Sequence, residues 1–286
     1  MTRLFKMLSH LPLWALHGLG WLLGWFVFLA SPTYRRRFME NARQAGVAST
    51  HWKTAVGECG KVVAELPRLW MGRSVPVSWQ GASHVELALA KGRGIVFLTP
   101  HLGCFEVAAQ AYAQRFGQSG YPVTVLYRPP RQAWLHSIVS GARVRPGMLA
   151  APTTLAGVKQ LIKALKSGHC VGLLPDQVPP LGQGVWAPFF GREAYTMTLS
   201  ARLAMQTGAT VLLAWGQRLS WGRGYVVHMR PLDQGLSSDL ATATAQINLA
   251  MEQLVRQAPG QYLWSYARYK QPRDSAHGQR DGDTSA

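Results

Sequence analysis

A chain of 286 residues is long enough to bury one substantial core without a disulfide or metal staple, and its three cysteines, Cys59, Cys104 and Cys170, are odd in number and widely spaced. This excludes a disulfide framework and points to a reducing compartment. Hydrophobic residues make up 48% and charged residues only 15%, so part of the apolar surface is expected to face lipid, while the net charge of +17 calls for an anionic partner.

The first element is a run of twenty uncharged residues, 11–30, broken by a single titratable group, His17. As a helix it is about 30 Å long, enough to cross a hydrocarbon core or to lie in one face of it. A cleaved signal peptide fits less well, because Phe28 occupies the position where a small residue is needed, and Pro32 with Arg35, Arg36 and Arg37 would follow the cut. That arginine cluster suits anionic phospholipid beside a membrane. A buried core helix is the bland alternative.

Helical periodicity is expected over 49–70, ended by Gly72, and a fully apolar strand over 94–98 leads into Thr99, Pro100 and His101. A helix over 105–116, a strand over 123–128, an amphipathic helix over 155–166 and a strand over 170–174 follow. The chain continues with a helix over 197–206, strands over 210–216 and 225–229, and a closing helix over 240–257. The pattern predicts an α/β fold with a mainly parallel central sheet flanked by helices, and an N-terminal hydrophobic membrane helix. The expected organisation is an anchor over 1–34, an α/β domain over 35–270 and a disordered polar tail over 271–286.

Three strands end in polar groups: His101 with Glu106, Arg128, and Asp176 with Gln177. Ligands bind beyond the carboxyl ends of strands in such sheets, so these groups are expected to converge. Gly103 permits a turn that brings Glu106 back toward His101, where a carboxylate would fix the tautomer of a general base. Taken alone, a His and a Glu five residues apart fit a structural hydrogen bond as well.

The segment Thr99-Pro-His-Leu-Gly-Cys-Phe-Glu106 resembles the His-x4-Asp/Glu block of glycerolipid acyltransferases, in the Glu form of the lipid A late acyltransferase family, the lauroyl and myristoyl transferases. The Leu-Pro-Leu-Trp start of the apolar run and the Ser-Pro-x-Tyr-Arg-Arg-Arg after it are similar to that family's membrane entry. Tyr127-Arg128-Pro129, Pro175-Asp176-Gln177, Val185 to Gly191 and Gln261 to Lys270 resemble later blocks in the same order.

The resemblance implies an acyltransferase on the cytoplasmic face of a bacterial inner membrane, moving an acyl chain from an acyl carrier protein thioester onto a hydroxyl of a lipid A precursor. No other cofactor, no metal and no nucleic acid is implied. His101 would be the base, Glu106 its orienting partner and Arg128 a phosphate ligand. Asp176 and Gln177 would shape the same pocket. Apart from the resemblance, the basic loop carrying Arg143 and Arg145 is a second-ranked candidate for phosphate contact, with a solvated charge run fitting it equally well. Acylation of another acceptor such as lysophospholipid is the runner-up, and a non-catalytic lipid-binding protein of the same fold stands beside it. A Cys104 nucleophile and a zinc site at His101, Cys104 and Glu106 are weaker alternatives.

Overall fold

The apolar runs read as strands pair side by side in the computed structural model, which describes residues 2–127 and 145–274. Strands β1 (Val77–Gln80), β2 (Ile95–Leu98), β3 (Val123–Tyr127), β4 (Met148–Pro152), β5 (Cys170–Leu173), β8 (Thr210–Arg218) and β9 (Tyr225–Pro231) form one sheet in the order β1-β9-β8-β2-β5-β3-β4. Every neighbouring pair is parallel except β8 with β9. The expected α/β architecture with a mainly parallel sheet is therefore present.

Central strand β2 shows why its sequence is apolar without alternation. Val96 and Leu98 enter one core with Ile247 and Met251, while Ile95 and Phe97 enter the other with Val107 and Tyr112, so both faces are covered. Helices α8 (Leu155–Lys166), α9 (Leu199–Thr207) and α10 (Leu240–Gln257) supply the first layer, and α6 (Ala82–Ala90) with α7 (Phe105–Arg115) the second. A separate hairpin, β6 (Gly184–Phe189) with β7 (Arg192–Met197), packs on α10.

Local readings changed in two places. The helix expected over 49–70 is divided into α4 (Ser49–Ala64) and α5 (Leu66–Met71), because Pro67 has no N–H to continue the ladder and its ring obstructs the preceding turn. The helix expected from Met197 begins at Leu199, since Met197 still pairs with Gly184 in the hairpin.

The N-terminal part forms α1 (Thr2–Ser9), α2 (Leu13–Ala30) and α3 (Pro32–Gln44). Helix α2 runs antiparallel to α4 at a distance only glycine allows: a Cβ on Gly60 would lie 1.9 Å from the Gly20 carbonyl oxygen, and one on Gly24 would lie 2.2 Å from that of Val56. The tail expected over 271–286 lies outside the described residues from 275 onward.

Candidate active site

Sheet register places the site. Leu98 at the end of β2 stands opposite Leu173 at the end of the parallel strand β5. His101 and Asp176 each lie three residues beyond that pair, so the two loops emerge side by side. The Asp176 carboxylate accepts three hydrogen bonds: from His101 Nδ1 at 2.7 Å, from the His101 backbone N–H at 2.8 Å and from the Tyr262 hydroxyl at 3.2 Å. With a proton on Nδ1, the imidazole presents the Nε2 lone pair, which faces Gln177 Nε2 at 3.0 Å. Asp176 is 2% exposed. Burial by itself raises a carboxyl pKa, yet the His101 ring and amide, with the Arg268 guanidinium nearby, hold Asp176 below the usual carboxylate range.

The expectation that Glu106 orients His101 is corrected: Asp176 and Gln177 occupy the two ring nitrogens. The cause is the path of the connecting loop. Gly103 adopts φ +60° and closes on β8, where a Cβ would lie 2.1 Å from the Gly216 oxygen, and the Cys104 N–H donates to that oxygen at 2.7 Å. The chain enters α7 from there, and Glu106 becomes part of a cavity wall with Oε2 3.4 Å from Trp70 Nε1. Burial lowers the Arg145 pKa against the opposing pull of the Glu106 charge, and its guanidinium is braced on the Leu69 and Trp70 carbonyls and Gln110 Oε1.

That cavity, about 70 Å³, is almost wholly apolar. Phe97, Phe105, Tyr112, Val125, Leu126, Met148 and Gly172 line it, with Thr99 and Glu106 at the polar part. Phe105 both lines the cavity and meets the His101 ring edge-on, with ring centroids 5.2 Å apart. Cys104 is 2% exposed, and burial pushes its thiol well above the ordinary value, so it is no ready thiolate. Arg128 and Arg143 lie outside the described residues.

Two sets of supporting contacts escaped the sequence reading, the first made by the block Gln261 to Lys270 already noted for its resemblance. The C-terminal block holds the loop from below: Gln261 O accepts from the Gly103 N–H at 2.9 Å, the Leu263 N–H donates to His101 O at 3.0 Å, and the Tyr266 hydroxyl accepts from the Val178 N–H at 2.9 Å. The second set is a buried ionic cluster around Arg218, which donates to Glu65 at 2.7 and 2.8 Å, to Glu58 at 2.7 Å and to Gly103 O at 3.0 Å. Glu65 also accepts from the Tyr225 hydroxyl at 2.9 Å and lies 3.2 Å from His17 Nε2. Burial raises the Glu65 pKa, but Arg218 and His17 outweigh it and hold the carboxyl at about 2. The signal available in the sequence was a lone His in an apolar helix and an Arg at a strand end.

A buried carboxylate hydrogen-bonded to an imidazole at the carboxyl edge of a mostly parallel sheet, beside an apolar cavity, is the geometry that general-base chemistry uses, set in an α/β fold. The family model for bacterial lipid A biosynthesis acyltransferases matches residues 58–271. The chain belongs to that family. It is 29% identical over 192 residues to the lipid A biosynthesis lauroyltransferase of Escherichia coli K12, covering 66% of this chain and 60% of that protein. It is 26% identical over 193 residues to the palmitoleoyltransferase of the same strain, covering 67% and 60%. With a lipid A biosynthesis acyltransferase of Haemophilus influenzae it shares 26% over 185 residues, 64% of this chain and 56% of that protein. The matched part thus spans about 60% of the length of these relatives.

Proposed function

We propose that the chain transfers a fatty acyl group from an acyl carrier protein thioester to a hydroxyl of a lipid A precursor, at the cytoplasmic face of a bacterial inner membrane. The observation that carries the reading is the His101–Asp176 pair beside an apolar cavity, whose wall includes Phe105, the residue packed edge-on against the His101 ring. In this mechanism the acceptor hydroxyl displaces the Gln177 amide from His101 Nε2 and gives its proton to that nitrogen as its oxygen attacks the thioester carbonyl. Asp176 stabilises the imidazolium so formed. Collapse of the tetrahedral intermediate expels the carrier thiolate, which takes the proton back, and no acyl-enzyme forms. The cavity would hold the acyl chain, with Glu106 at its polar rim. By resemblance, Arg128 is assigned to a phosphate group of the substrates, which a guanidinium binds in bidentate fashion, and Arg143, by its charge alone, stands second to it.

Membrane attachment is part of the proposal: α2 is long and apolar enough to cross a bilayer by length and composition, and Arg35, Arg36 and Arg37 follow it. The test is a detergent assay of the purified protein with labelled acyl carrier protein thioesters, offering a tetra-acylated lipid A precursor and, separately, lysophospholipids. Transfer to the lipid A precursor that disappears in His101→Ala is expected. Transfer to lysophospholipid alone would move the protein to the other acceptor class, and no transfer to either would leave a lipid-binding protein.

A further inference from the structure

We propose that α2 does not cross the bilayer but lies along its surface, so that the protein sits monotopically on one leaflet of an anionic membrane with its catalytic loop held at that surface. This rests on the membrane attachment proposed above and goes beyond it by settling how the apolar helix is used.

Both ends of α2 are fastened to the same α/β domain. At its start Leu13 is buried in the core with Tyr225, and the turn between β8 and β9 comes so close that a Cβ on Gly222 would lie 2.3 Å from the Trp14 nitrogen. At its end Phe28 is buried against Phe38 and Trp52, and Arg35 donates to the Phe28 and Leu29 carbonyls. The chain then stays on the domain, where Asn41 donates to the Trp264 and Tyr266 carbonyls at 2.7 Å. A crossing helix would separate these ends by a bilayer and draw the domain into the hydrocarbon. Midway along α2, Lys61 stands over the Trp21 ring and pairs with Glu58. In a crossing helix that ion pair would sit near the bilayer centre, where charges are costly.

The outward side carries the complementary pattern. Leu19, Leu22, Phe26 and Leu29 recur at helical spacing and are 51–68% exposed, a stripe that a flat membrane surface covers along its whole length. Cations stand at both ends: exposed Arg36 and Arg43 border a basic depression after the helix, and Arg3, Lys6 and Arg223 are exposed near its start. Trp221, 86% exposed on the β8–β9 turn, adds an aromatic anchor. With the helix lying along the surface, the basic groups at both of its ends meet the anionic headgroups of one leaflet. The stripe is tied to the site through His17, Glu65, Arg218 and the Gly103 carbonyl, so His101 is held close to the lipid surface.

The experiment adds the full chain to preformed sealed vesicles of phosphatidylethanolamine and phosphatidylglycerol, and uses His10→Cys, Thr33→Cys and Leu22→Cys with a membrane-impermeant maleimide. The native cysteines are buried. Cysteines at positions 10 and 33 are expected to react from outside without detergent, and the one at 22 only after detergent. If either flank needs permeabilisation, α2 crosses and the proposal fails. It fails equally if position 22 reacts as fast as the flanks, or is already shielded without vesicles because a second copy covers the stripe. Flotation separates the two readings: a protein that does not float sinks membrane attachment itself, whereas flotation with labelling from opposite sides sinks only the in-plane arrangement. Leu22→Asp with Phe26→Asp is expected to lose flotation while transfer between detergent-dispersed substrates is unchanged.

Discussion

At the scale of the residue, the proposed chemistry depends on which nitrogen of His101 holds a proton, and Asp176 decides it. Asp176→Asn removes the charge that stabilises the imidazolium and can support the other tautomer, so kcat is expected to fall by about 10²- to 10⁴-fold in a single-turnover assay. Glu106→Gln, which leaves that pair intact, is expected to lose less in kcat than Asp176→Asn; the reverse order would return Glu106 to the orienting role. Cys104→Ala is expected to keep its activity in the same assay, because the buried thiol lies far from its ionising range. Loss of turnover with the circular dichroism spectrum unchanged would contradict the direct mechanism.

At the scale of the element, α2 and α4 approach through glycines. Alanine in place of helical glycine ordinarily stabilises by up to about 1 kcal/mol, but at Gly60 the added carbon would strike the Gly20 carbonyl. Gly60→Val is therefore expected to destabilise by about 1–3 kcal/mol in urea unfolding, through overpacking. Along α7, Ala109 faces the apolar cavity. Ala109→Leu takes up part of that space, and mass spectrometry of the product is expected to show a shift toward shorter acyl chains; unchanged chain length would place the acyl group elsewhere.

At the scale of the whole molecule, the Arg218 cluster joins the N-terminal helix, α4, the loop before α7 and the last strands of the sheet. Its pH dependence has a definite sign. Glu65 is ionised in the native protein down to about pH 2, while the unfolded carboxyl titrates near 4.5, so below pH 4.5 the unfolded chain binds a proton that the native chain does not. The stability contributed by Glu65 is complete above that value and is lost as pH falls from 4.5 toward 2. Glu65→Gln should flatten this part of a stability profile measured by denaturant unfolding.

Much of this protein was legible in one dimension because the responsible forces are local. Continuous apolar runs ending in polar groups marked β2 and β5, since a strand covered on both faces has no polar side, and twenty uncharged residues marked α2. The order of the motifs pointed to the family, and the family model covers 58–271. The partner of His101 was not legible. Glu106 was the nearest carboxylate along the chain, whereas Asp176 becomes the nearest in space because β2 and β5 pair in parallel with Leu98 opposite Leu173. The cluster of His17, Glu58, Glu65 and Arg218 was hidden for the same reason: its members meet only when α2, α4 and β8 pack together. Composition and periodicity determined which segments become strands and helices and that one helix is long and apolar enough to cross a membrane. Tertiary structure alone decided which carboxylate meets His101 and which face of the apolar helix is left outside, because both depend on strand order and helix docking.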